Sequence, residues 1–250
     1  MDPFRGFGTA VNVVTVLAGS GIGIVLGRRL PQRTRDTVTD ALGLVTLLIA
    51  ALAAASVTSG TLTSAVGDSA PVLIVLGSML VGGIVGSLLR IEAGLENIGD
   101  RLQRRLTRSE QSEQRRRFVE GFVSSSLVFC VGPLTILGSL NEGLGNGSDQ
   151  LMLKSALDGF ASMAFAASFG WGVAAAAISV LVVQGGLTGV GAMLGQLLPD
   201  PQLAALSATG GLLLAGVGLR LLQIKAVPVG DLLPALLVAP LLTELVIVVR

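Results

Sequence analysis

The sequence predicts an all-α integral membrane protein of about eight transmembrane helices, forming a single polytopic domain over residues 1–250. Three observations carry this reading. Hydrophobic residues make up 51% of the chain and charged residues 13%, with a mean hydropathy of +0.79; soluble domains carry about twice that charge. Apolar runs of spanning length recur from end to end. Lys and Arg collect on alternate connections between the runs, the pattern by which membrane proteins fix their orientation.

In order, the runs fall at roughly 8–27, 41–58, 71–89, 119–140, 153–172, 174–197, 204–222 and 228–248. A crossing requires about 20 mostly apolar residues. The second run is short and begins beside Asp40, so it is tilted or incomplete. The stretch from Met152 to Leu198 decides the count. As one helix it would extend about 70 Å, more than twice the hydrocarbon thickness. It must therefore turn, and Gly170-Trp171-Gly172 is the place the sequence offers. The first run lacks a basic leader and a small-residue cleavage site, which reads as a mature helix rather than a signal peptide.

Arg28, Arg29, Arg33 and Arg35 follow the first span, a cluster from Arg90 to Arg117 follows the third, and Arg220 and Lys225 follow the seventh. If these are cytoplasmic, the amino terminus lies outside. The loops around TSAVGDSA and NEGLGNGSDQ are then external and lack Lys and Arg. Arg5, Lys154 and Arg250 are exceptions on the external side.

A glycine pattern occurs twice, as GIGIVLGRRLP from Gly21 and GVGAMLGQLLP from Gly189, and Gly43 and Gly211 match at the same offset. The topology sends the first copy inward and the second outward. Helices one and two would thus be related to six and seven by an inverted repeat, an architecture of transporters and channels. A weaker echo sets Ser78, Gly82 and Gly86 against Gly19, Gly23 and Gly27. Helix packing accounts for such stripes, because small residues let backbones approach where lipid gives no hydrophobic drive. Gly19, Gly23, Gly27, Gly82, Gly86, Gly189, Gly191 and Gly195 are accordingly the close-approach candidates, with exposed carbonyls at a repeat interface as the functional alternative.

Residues 90–118 are the one long polar segment, and Ile91, Leu95, Ile98, Leu102 and Leu106 give it a narrow apolar stripe. This predicts a basic amphipathic segment on the cytoplasmic face, packed on headgroups or on the bundle.

Polar residues inside apolar spans need partners or a purpose. Asn12, with Thr9 and Thr15 a turn to either side, bonds another helix or offers neutral oxygens to a solute. Asp158 lies four residues after Lys154, with Ser155 and Ser162 continuing that face. It is either a salt bridge whose Lys154 snorkels outward or a cation or proton site. Pro133 removes a helix hydrogen bond and predicts a kink in the fourth span, with Ser124–Ser126, Thr135 and Ser139 available to the freed backbone groups. Gln184-Gly185-Gly186 suggests a discontinuous sixth helix, and Pro234 and Pro240 an irregular eighth.

The chain has no His and one Cys, Cys130. Imidazole metal sites, Ser-His-Asp catalysis and internal disulfides are therefore excluded. With no phosphate loop and no catalytic carboxylate pair, neither an enzyme nor a resident cofactor is expected. The expected partners are the bilayer and a small cation or polar solute, with no nucleic acid. A homodimer through a glycine face is compatible with so thin a bundle.

The chain resembles the DUF554 family of bacterial multi-spanning proteins along nearly its full length. The resemblance rests on GTAVNVVTVLAGSGIGIVLG, SSSLVFCVGPLTILGSLNEGL, KSALDGFASMAFAASFGWGV and GGLLLAGVGLRLLQIKAVPVGDLLPALLVAP. Pro133 departs from the Gly-Ala usual after Phe-Cys-Val in that family. The resemblance implies an inner-membrane protein and no particular chemistry.

The leading functional expectation is a small transporter or channel for a cation or small polar solute, with its site near the midplane at the repeat interface. Asp158 would supply charge, and Asn12, Thr9, Ser162 and Gln184 neutral oxygens. The alternative is a non-transporting scaffold or signalling protein working through residues 90–118.

Overall fold

The computed structural model describes residues 5–27, 31–106, 112–130, 133–145, 147–194 and 199–249. Its regular elements are all helices: α1 (Phe7–Gly27), α2 (Gln32–Ala54), α3 (Gly60–Val66), α4 (Ala70–Leu89), α5 (Ile91–Leu106), α6 (Ser112–Cys130), α7 (Pro133–Leu144), α8 (Asp149–Phe169), α9 (Trp171–Leu194), α10 (Asp200–Leu221), α11 (Val229–Leu232) and α12 (Ala235–Val249). A 3-10 turn at Ala55–Thr58 follows α2.

By length and composition, six stretches among the described residues could cross a membrane: Phe7–Gly27, Asp36–Val66, Ala70–Leu89, Trp171–Met193, Asp200–Leu221 and Val229–Val249. The pair α6–α7, bent by 73°, makes a seventh if it is one span. The fifth predicted span, which is not among these, corresponds to α8, which has the length but carries Lys154, Asp158 and a row of serines along its buried face. Outward-facing Val14, Leu17 and Val25 of α1 and Val72, Leu76 and Leu80 of α4 are exposed, an apolar surface of the kind lipid covers.

Several expectations need correction. The second run does not end near 58: helix resumes as α3, so part of TSAVGDSA is helical rather than loop. Ser59 starts it by accepting from the Leu62 amide. The fourth span is broken rather than kinked, with α6 ending at Cys130 and α7 starting at Pro133; Pro is well suited to a first helical position. Thr135 donates to the Phe129 carbonyl, as expected of a hydroxyl beside freed backbone. Ser124, Ser125 and Ser139 do not share that task; their hydroxyls lack a partner among the described residues. Gln184-Gly185-Gly186 does not interrupt α9, which runs unbroken from Trp171 to Leu194. The polar segment 90–118 divides: α5 fills its first half, and Ser112–Phe118 are the opening turns of α6.

The chain forms two compact units, one of residues 1–43 and 95–196, the other of 44–94 and 197–250. In the first, α8 ends at Phe169, Gly170 takes a positive φ of 74°, and α9 begins at Trp171, so the turn lies where the sequence placed it. Contacts give the helix directions. Gly19 lies on Gly159 and Ser162, Gly23 on Met163 and Gly27 on Ala167, so α1 and α8 run parallel. Gly121 meets Phe169 while Phe129 meets the Phe165 ring, so α6 opposes α8. Gly172 meets Phe118 and Ser179 bonds Ser126, so α9 follows α6. It follows that α1 and α9 are antiparallel.

The glycines divide by what surrounds them. A Cβ on Gly19, Gly23 or Gly27 would collide with α8 backbone, and one on Gly191 would stand 2.6 Å from the Leu140 carbonyl oxygen. Gly189, by contrast, has open space and is not a close-approach residue. Gly195 lies outside the described residues. In the second unit, Gly82 packs on Ala235 and Gly86 on Asp231, while Gly211 of α10 packs on Ala50 and Ala54 of α2. These contacts fit the packing role of small residues in membrane helices.

Candidate functional site

Four helices of the first unit bring a polar cluster together. Helix α1 supplies Gly8, Thr9 and Asn12, helix α7 supplies Glu142, helix α8 Lys154, Ser155 and Asp158, and helix α9 Gln184 and Thr188. All are buried, with Asn12 and Gln184 at 0% exposure and Glu142 at 3%. Thr9, Asn12, Asp158 and Gln184 were legible in the sequence. Glu142 was not.

The cluster has two layers. In the first, the Gly8 amide donates to Glu142 Oε1, one of the first-turn N–H groups that a helix leaves without an internal partner. Thr9 donates to Glu142 Oε2 at 3.2 Å and Thr188 to the same oxygen at 3.4 Å. The two threonine hydroxyls are themselves 3.4 Å apart. Gly8 permits this arrangement: a Cβ there would stand 2.7 Å from Leu151 Cβ and 3.0 Å from Glu142 Oε1. A carboxylate at a helix N-terminus also faces the positive end of the helix dipole.

The second layer lies one turn deeper. Asn12 Nδ2 donates to Asp158 Oδ2 at 2.8 Å, and Lys154 forms an ion pair with that same oxygen. Thr9 opposite Thr188 sets the antiparallel register of α1 and α9, which places Gln184, one turn before Thr188, level with Asn12. Asn12 Oδ1 and both polar atoms of Gln184 have no partner among the described residues. Because Asn12 must turn its amide nitrogen toward the carboxylate, its oxygen is the free end.

Two expectations fail here. Lys154 does not snorkel outward; it is buried with Asp158. The helix geometry forces this, since α8 lays its Lys154–Asp158 face against α1. Ser162 is not drawn into the cluster, because its hydroxyl donates to the Gly159 carbonyl of its own helix beneath Gly19. Glu142 was missed because NEGLGNGSDQ reads as loop, yet a signal existed. Thr135, Ser139 and Glu142 recur at helical spacing, and all three are buried.

The model of the family described as "Protein of unknown function (DUF554)" matches residues 7–244. The chain belongs to the DUF554 family. It is 32% identical over 232 residues to the uncharacterized protein YqgA of Escherichia coli strain K12, covering 93% of this chain and 94% of that one. It is also 28% identical over 234 residues to the uncharacterized membrane protein YdfK of Bacillus subtilis strain 168, covering 94% of each. No solved structure matches. Family membership therefore agrees with a membrane protein and leaves the chemistry to the site.

Proposed function

We propose that this DUF554 protein is a small multi-pass transporter or channel of the bacterial cytoplasmic membrane, passing a cation or small polar solute. The observation that carries the proposal is the buried two-layer cluster of α1, α7, α8 and α9, which holds charged groups and unpartnered amides within apolar helices. Such groups are costly in lipid and ordinarily mark a pathway or relay. The broken α6–α7 pair borders the cluster, and broken helices are tolerated at membrane depth where they are buried in protein or line a path. The antiparallel course of α1 and α9 supports the inverted-repeat reading, and the clustered Arg residues support an amino terminus outside. Nothing in the Lys154–Asp158 pair resembles a nucleophile with its base, so the reading is not enzymatic.

The test is flux into proteoliposomes of purified protein, using sodium-22, rubidium-86 and, for neutral solutes, glycerol-driven swelling. The wild type should pass at least one probe above empty vesicles. Asp158→Asn alone would strand Lys154 without its partner, so Lys154→Met/Asp158→Asn is the informative variant; it should stay folded and lose flux. Wild-type flux in that variant would remove Asp158 from the pathway. No flux of any probe would sink the transport reading and favour a scaffold working through α5. Helix α5 has its own observation in support: its first turn is fixed by Glu92, leaving Glu96, Asn97 and Ile98 beyond it exposed.

A further inference from the structure

Resting on that reading, we propose that the first unit holds a binding site for a dehydrated monovalent metal cation of the sodium class, with Glu142 as its charged ligand. Thr9, Thr188, Asn12 Oδ1 and Gln184 Oε1 complete it. Asp158 is matched by Lys154, so their opposite charges cancel within the second layer. Glu142 is different. Its contacts are an amide and two hydroxyls, and it forms no ion pair with any described Lys or Arg. A carboxylate at 3% exposure is therefore left with neutral donors and about half a charge from the α1 N-terminus. One further positive charge balances the cluster. A divalent ion would overshoot, and calcium sites in addition recruit several carboxylates.

Unsatisfied acceptors among the described residues point the same way. Capping of α1 explains why Glu142 Oε1 meets Gly8, but it does not explain the second layer. Three residues with unpartnered polar atoms are each one turn from a first-layer residue on the same helix: Asn12 from Thr9, Ser139 from Glu142 and Gln184 from Thr188. The antiparallel register of α1 and α9 brings Asn12 and Gln184 to one level, while Ser139 stands on α7 beside Gly138, which packs on Leu151. Buried polar atoms without partners are rare in native folds. Here two of them are amide oxygens, which suit a hard monovalent cation. The threonine hydroxyls keep lone pairs while donating to Glu142.

The test is equilibrium binding, which does not require transport. Purified protein in N-methylglucamine buffer is titrated with sodium, lithium, potassium and calcium chloride by calorimetry, and its melting temperature is followed against salt. The wild type should bind sodium or another monovalent ion saturably and melt higher with it, as a ligand of the folded state requires. Glu142→Gln should weaken binding by more than about tenfold, since ligand charge count dominates such affinities. Thr188→Val, which keeps the charge, should weaken it by less than Glu142→Gln does. Lys154→Met/Asp158→Asn, which keeps an amide oxygen to accept from Asn12, should weaken binding less than Glu142→Gln does, which separates this site from the pathway role of Asp158. Saturable binding by a protein that passes no probe keeps this site and overturns only the transport reading. Absence of monovalent binding, calcium binding alone, or wild-type affinity in Glu142→Gln each overturns the site, whatever the flux.

Discussion

Glu92 in the second unit and Glu142 in the first do the same local job and are balanced in opposite ways. Each reaches across the sequence to the amide of a residue in the first turn of another helix, Gly230 for Glu92 and Gly8 for Glu142. Glu92 also pairs with the Arg220 guanidinium, and the Asp231 carboxylate accepts from the Glu92 amide in return, so the junction of α5, α10 and α11 is closed. Glu142 has two threonines instead of an arginine. One carboxylate is paired with a cation; the other sits in a buried polar cluster with neutral donors. Buried charge alone does not mark a functional residue. What separates the two is that Glu142 has no cationic partner among the described residues and has unpartnered acceptors one turn away.

The largest expected effect breaks the buried Lys154–Asp158 ion pair of the first unit. Asp158→Asn should destabilise the protein by about 3–5 kcal/mol, because it leaves a buried ammonium without its counter-charge. Replacing both partners, as in Lys154→Met/Asp158→Asn, should recover most of that loss in detergent melting experiments. If single and double variants melt alike, the pair is not an electrostatic unit.

The comparison of the two glutamates predicts the next effect. Arg220→Met should cost about 1.5–3 kcal/mol, since it removes a charge-assisted bond and leaves Glu92 half-buried and unpaired. Glu142→Gln should cost less, about 1 kcal/mol, because no cation is orphaned and an amide oxygen still accepts. Equal losses in thermal melts would make Glu142 a structural cap like Glu92 and remove the distinction.

How much of this was legible in the sequence depended on whether a residue's neighbours lie along the chain or across it. Asn12 and Asp158 stood out because a polar side chain within an apolar span is anomalous by itself. The turn at Gly170 was forced by length, as 47 helical residues cannot fit one crossing. Glu142 was hidden because Gly143, Gly145 and Gly147 surround it with turn chemistry. Gly143 in fact serves packing, lying on the Thr188 carbonyl, whereas Gly145 and Gly147 do take positive φ beyond the helix. Lys154 was misjudged for a related reason. Snorkelling needs a free route to the interface, and α1 lying parallel to α8 closes it. Neither fact is contained in local sequence.

The glycine stripes extend the comparison to packing. Gly23→Val in α1 and Gly86→Val in α4 should each cost about 1–3 kcal/mol by overpacking against backbone that cannot yield. The colliding atoms are the Met163 carbonyl for Gly23 and the Asp231 carbonyl for Gly86. Similar losses in both would show that each unit packs its own helices by the same device.

The smallest expected effect concerns two glycines at corresponding places in the duplicated pattern. Gly21 and Gly189 each have open space where a Cβ would go and are exposed on helices α1 and α9, unlike Gly23 and Gly191 two residues on. Packing gives neither a reason to be glycine, and helix propensity argues against it. Gly21→Ala and Gly189→Ala should therefore leave the melting temperature unchanged or slightly raised, with a change in stability within about 1 kcal/mol. The same variants then separate two explanations of the pattern. If flux is also unchanged, only the alternate, closed glycines carry the repeat, and packing explains it. If flux falls while stability holds, the open glycines are needed for a movement of α1 against α9 that the packed arrangement does not display. That outcome would tie the repeat to transport rather than to assembly.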